Sequence, residues 1–112
     1  MVDKELVWLH GKVKSPPFSN EARGTAGFLL RLVQSGTLLT MPDSRQMPQI
    51  GPRCHELRVR DSATGLTWRI IYRTDVDAII IGDVFAKKMQ QTPKNVIDVC
   101  KRRFKLYDST NH

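Results

Sequence analysis

From His55 to Arg60 polar and apolar positions alternate strictly, with Leu57 and Val59 on one face and Glu56, Arg58 and Arg60 on the other. That period of two predicts a half-solvated strand. Two more strands follow. Thr67–Arg73 and Ala78–Phe85 are rich in β-branched and aromatic residues, and Asp75-Val76-Asp77 lies between them as a turn. Asp61 to Gly65 turns the chain from the first run into the second, so the three runs predict an antiparallel meander. Upstream the period changes. Ala22, Ala26, Leu29, Leu30 and Val33 form one stripe at helical spacing, which predicts a helix from Ser19 or Asn20 to Ser35 with Gly36 as its stop. Val7 and Leu9 mark a short strand within Asp3–Leu9, and Ser15-Pro16-Pro17 breaks the chain before the helix. Thr37 to Pro52 is a loop-like connector with room for one helical turn. At the other end, Thr92 is read as an N-cap and Pro93 as the first residue of a helix reaching about Leu106. Ile97, Cys100, Phe104 and Tyr107 face inward there, and Asp108 to His112 is expected to be a frayed polar tail.

These elements predict one α+β domain over residues 1–112: an N-terminal strand and helix, then a three-stranded antiparallel meander and a C-terminal helix. The length suffices for a hydrophobic core without staples. Cys54 and Cys100 form neither a disulfide framework nor a metal-ligand spacing and are read as partly buried free thiols, and no metal or cofactor is expected. No apolar run approaches the roughly 20 residues of a spanning helix. The N-terminus lacks a signal pattern, which makes the cytoplasm the expected location, with no membrane partner.

Charge changes the picture more than composition does. Lys and Arg number 18 against 11 Asp and Glu, a net charge of +7. The excess is concentrated late, for Ala86 to Tyr107 carries 7 basic side chains and 1 acidic one. An anionic partner is implied, either nucleic acid or an acidic protein. Arg58, Arg60, Arg69 and Arg73 lie on adjacent predicted strands, and alternation puts Arg69 and Arg73 on one face, as a flat array suited to phosphates. The plainer reading is a solvated face paired to Glu56, Asp61 and Asp83. Lys87 and Lys88 leave the last strand where a helix start converges on the same edge, and Lys94 adds a cation in that helix's first turn. Lysines so placed can hold a phosphate or stabilise charge developing on it, although they also suit an ordinary strand exit. His10, His55 and His112 titrate near neutrality but are scattered, and His10 and His55 are read as structural before catalytic.

The order Glu56-Leu57-Arg58, Arg69-Ile70-Ile71-Tyr72, Phe85-Ala86-Lys87-Lys88 and Thr92-Pro93 before a basic helix resembles the RelE/ParE toxin superfamily, in particular its HigB-like, phage-derived branch. The resemblance spans nearly the whole chain. It implies the toxin of a type II toxin–antitoxin pair, a ribosome-dependent endoribonuclease that cuts mRNA by metal-independent attack of a ribose 2′-OH on the adjacent phosphate. On that resemblance Arg69, Lys87 and Lys88 are the catalytic candidates, and Arg58, Arg60, Arg73 and Lys94 the RNA-binding ones. The implied partners are the ribosome, mRNA and a cognate antitoxin, expected to be a helix-turn-helix protein. Some relatives carry a tyrosine or histidine near the last strand or final helix that takes part in proton transfer; here Gln90 and Gln91 follow the lysines, which leaves a lysine of lowered pKa as the candidate base. Two further readings fit the same fold and charge: a ParE-like topoisomerase inhibitor without nuclease activity, and a non-toxic phage-derived relic that binds an antitoxin.

Overall fold

The computed structural model describes residues 3–9, 18–87 and 92–110. Its strands are β1 (Glu5–Trp8), β2 (Ser44–Gln46), β3 (Cys54–Asp61), β4 (Leu66–Thr74) and β5 (Ala78–Lys87); its helices are α1 (Asn20–Gln34) and α2 (Lys94–Thr110). They build an α+β fold on a single sheet of order β1-β5-β4-β3-β2. The predicted meander β3-β4-β5 forms its antiparallel body, and β1 joins the far side parallel to β5, with Glu5 opposite Ala78.

The two sheet faces are covered by different helices. Leu57, Val59, Trp68, Ile70, Tyr72, Ile79 and Ile81 face α1, packing against its stripe Ala22, Ala26, Leu29, Leu30 and Val33. Ile71, Ala78 and Ile80 point the other way, into a second cluster with Val96, Cys100 and Phe104 of α2. Double coverage explains why Ile79, Ile80 and Ile81 form an unbroken apolar run: none is exposed, and burying each contributes about 2 kcal/mol. Helix α1 is capped as its sequence demands. Ser19 accepts from the Ala22 N–H at 3.1 Å, and Gly36, at φ 98°, ends the helix while the Thr37 N–H reaches back to the Leu32 carbonyl.

A bulge in β5 retunes the alternation. Ile71 pairs with Asp83 and Tyr72 with Ile81, so Gly82 is the extra residue. Beyond it Val84 and Ala86 face the α1 cluster and Phe85 the α2 cluster. A side chain at Gly82 would put its Cβ 2.9 Å from Phe104 Cζ, so glycine is what lets α2 lie this close, and Arg103 Nη1 donates to the freed Gly82 carbonyl at 2.6 Å.

Three local expectations need correction. The connector after α1 contains a strand, β2, paired antiparallel to β3; three residues are too few to show a period, and the pairing is fixed by tertiary contacts such as Ser44 Oγ to Tyr72 Oη at 2.8 Å. Thr92 does not serve as the α2 N-cap. The Pro93 carbonyl accepts from the Ile97 N–H, and the Thr92 hydroxyl donates instead to Glu56. The polar tail is helical as far as Thr110 because Asp108 is bonded to Arg73 on β4 and Thr110 Oγ1 donates back to the Leu106 carbonyl.

Candidate functional site

The arginine array exists, and it is built around a carboxylate. Glu56 on β3 is completely buried on the face that α2 only partly covers. Arg69, from β4, donates Nη1 to Glu56 Oε1 at 2.8 Å. Arg45, from β2, and Arg58, from β3, bring their Nε atoms to 3.3 and 3.5 Å from the same oxygen. The Thr92 hydroxyl donates to Oε2, and Arg45 Nη2 in turn donates to Thr92 Oγ1 at 3.1 Å. Three strands and the approach to α2 therefore meet at one carboxyl group. A lone buried carboxylate would be prohibitively costly, and the surrounding guanidinium groups make this one tenable.

The stoichiometry matters chemically. Among the described residues three guanidinium groups lie against one carboxylate, a formal excess of two positive charges. Exposure decides where that surplus can be met: the side chain of Arg69 is 4% exposed, that of Arg58 17% and that of Arg45 31%. The surplus opens to solvent toward β3 and β2. Arg60, two residues beyond Arg58 along β3, is exposed and carries the positive face further. Such an arrangement can bind a phosphodiester and stabilise extra negative charge on it.

Arg73 lies on the same face as Arg69, as expected, but its donors are committed. Nε and Nη2 donate to Asp75 at 2.8 Å, and Nη1 and Nη2 donate to Asp108 at 3.0 and 2.7 Å. The Asp75 hydrogen bonds, only partly opposed by burial, hold its guanidinium more firmly protonated than usual. Its guanidinium also lies 5.2 Å from the Phe104 ring centroid, so Arg73 ties the last turns of α2 to the sheet.

The remaining candidates distribute as follows. Lys87 is the last residue of β5, its backbone opposite Thr67, while Lys88 and His10 lie outside the described residues. Lys94 is exposed at the start of α2. His55 is on the other sheet face, stacked on Tyr72 with ring centroids 5.1 Å apart, and burial lowers its pKa from 6.5. It is a neutral core group at pH 7, away from the array. Cys54 and Cys100 are free and buried, and burial pushes their thiols up to about 11 and about 12, so neither is a ready nucleophile.

Two participants had no clear sequence signal. Arg45 sits in a proline-rich connector without periodicity, and Thr92 reads as a helix cap. Glu56 did carry one, as the acid set between Arg58 and Arg60 on one side and the next strand's arginines on the other. Among the described residues no three His, Cys, Asp or Glu side chains form a metal-ligand group, and no helix is long and apolar enough to cross a membrane. No curated protein matches the chain significantly. A family model does: the one described as phage derived protein Gp49-like (DUF891) covers residues 17–105. That span contains all of α1, the whole meander and every residue of the Glu56 cluster. The chain belongs to the Gp49-like family of phage-derived proteins, a branch of the RelE/ParE-like toxins.

Proposed function

We propose that this protein is a HigB-like toxin of a type II toxin–antitoxin pair, a cytoplasmic endoribonuclease that cleaves mRNA on the ribosome and is neutralised by a cognate antitoxin. The observation that carries the reading is the Glu56 cluster, in which Arg45, Arg58 and Arg69 gather around one carboxylate and Arg58 and Arg45 open to solvent. In the proposed reaction a ribose 2′-OH attacks the neighbouring phosphorus. Its proton leaves to a base, the bond to the 5′-oxygen breaks, and that oxygen takes up a proton. Negative charge builds on the non-bridging oxygens, where a preorganised cationic face acts most strongly.

Each residue then has a part. Lys87 and Lys88 hold the scissile phosphate where β5 ends, and Arg58, Arg60 and Lys94 bind the flanking RNA backbone. Arg69, almost fully buried on Glu56, fixes the array and contributes charge from beneath. Arg73 is assigned an anchoring part, since its donors are bonded to Asp75 and Asp108. The uneven charge of the chain supports an RNA partner, and its family supports a toxin.

The test is induced expression in bacteria with primer extension on a translated message and on an untranslatable copy. Cuts confined to the translated message are expected. Lys87→Ala and Lys88→Ala should abolish them, and Arg60→Ala should weaken cleavage about tenfold, the loss of one phosphate contact. Growth arrest with intact message would overturn the nuclease reading in favour of a toxin acting on another target.

A further inference from the structure

Beside the phosphate-binding face lies a second feature, a cleft of about 530 Å³ between the turn that precedes β3 and the outer side of α2. Its floor is apolar: Ile50, Cys54 and Phe104 line it and are all buried. Its rim is basic, with the exposed side chains of Lys101, Arg102 and Lys105 around the mouth, while Arg53 at its edge is paired with Asp75 at 3.6 Å. Asp108 is the one acid among the described lining residues, and its carboxylate is already bonded by Arg73. Arg53 holds a left-handed backbone at φ 61°, which a residue with a side chain rarely adopts. The turn is secured by the Thr74 N–H donating to the Arg53 carbonyl and by Arg53 Nε donating to the Thr74 carbonyl, both at 3.1 Å.

We propose that this cleft is a docking site for a short acidic peptide segment of a partner protein, one that seats an aliphatic side chain on the Ile50–Phe104 floor and sets Asp or Glu against Lys101, Arg102 and Lys105. The argument is complementarity of chemistry: an apolar centre ringed by cations matches an apolar anchor flanked by carboxylates. RNA fits less well. Single-stranded RNA binds such grooves by stacking bases on open aromatic faces. The Phe104 ring, the aromatic of this cleft, carries the Arg73 guanidinium over it. The cleft is also set apart from the outer end of the RNA face, at Arg60. Cys54 and Arg60 stand six residues apart on β3, which spans about 20 Å. A partner anchored in the cleft would thus leave Arg58 and Arg60 open unless another of its segments reached them. The proposal rests on the toxin reading only for the partner's identity as the antitoxin; the cleft's preference is measured without any RNA cleavage.

The full chain would be immobilised and panned against a random 12-residue peptide library displayed on phage. Enriched peptides would then be synthesised and titrated by fluorescence anisotropy. Acidic residues flanking Leu, Ile, Val or Phe are expected. A K101E/K105E variant should weaken binding by about tenfold or more, because two rim cations become repulsive. An R23E/R31E variant makes the same change of net charge at exposed positions of α1, on the opposite sheet face, and should shift the affinity less than about twofold. A 12-nucleotide single-stranded RNA should not compete. Failure to enrich any peptide, equal weakening by both variants, or displacement by the RNA would each overturn the proposal.

Discussion

Arg69 and Arg73 are four residues apart on β4, face the same way and are nearly equally buried, yet they serve opposite electrostatic ends. Around Arg69 three arginines meet one carboxylate, and the surplus is positive. Around Arg73 one guanidinium meets two carboxylates, Asp75 and Asp108, and Arg53 approaches Asp75 at 3.6 Å to bring the count level. On the proposed reading the first site keeps its charge for a ligand, whereas the second spends its charge on holding α2. What distinguishes the two arginines is therefore the number of acids within reach rather than their position on the strand.

The strongest way to break that comparison is Glu56→Gln. It leaves three buried or half-buried guanidinium groups without their counter-charge and should cost about 3–5 kcal/mol, seen as a fall in the urea midpoint. Adding Arg69→Met should restore part of the loss, because a buried pair can be replaced by apolar packing far more cheaply than it can be halved. At the other end, Arg73→Met removes the tie to Asp108, whose side chain is 46% exposed and so can return to water. About 2 kcal/mol is expected, with faster hydrogen exchange in the last turn of α2 and an unchanged Glu56 cluster. Thr92→Val sharpens the first end by deleting only the hydroxyl between Glu56 and Arg45, for about 1 kcal/mol. The smallest effect belongs to His55, on the face that neither cluster touches. Its folded pKa is lowered by burial, so the unfolded chain takes up the proton first. Its contribution to stability is complete above pH 6.5 and is lost as the pH falls below that value toward the folded pKa. His55→Gln should flatten this slope while leaving the effects of the other variants additive, as chemical denaturation across pH 5–8 would show.

Much of this architecture could be read from the chain. The helical stripe Ala22 to Val33 and the apolar positions Leu57 and Val59 name their own buried faces, whereas the half-solvated reading of that strand fails at Glu56, which the arginines gathered on it bury. The grouping of Arg69 with Arg73 on one face was equally legible, and the pairing of that face to Glu56 was its plainer interpretation. What could not be read is set by contacts distant in sequence. Thr92 has the chemistry of a cap, but a carboxylate 36 residues away competes for its hydroxyl and wins. Arg45 enters the cluster only because β2 pairs with β3, and a three-residue strand leaves no pattern behind. The bulge at Gly82 is silent too: a glycine in a strand marks a close approach, but not which helix makes it.

The parallel pairing of β1 with β5 also sets a clock. Glu5 meets Ala78, so the first strand must wait for 73 further residues before its partner exists, and until then α1 also lacks the Ile79 and Ile81 part of its packing surface. At translation rates of about 5–20 residues per second, the nascent chain spends roughly 4–15 s without its closing strand. A chain built this way cannot close its sheet until β5 has been made, and throughout that interval the strand edges stay open to any partner already present.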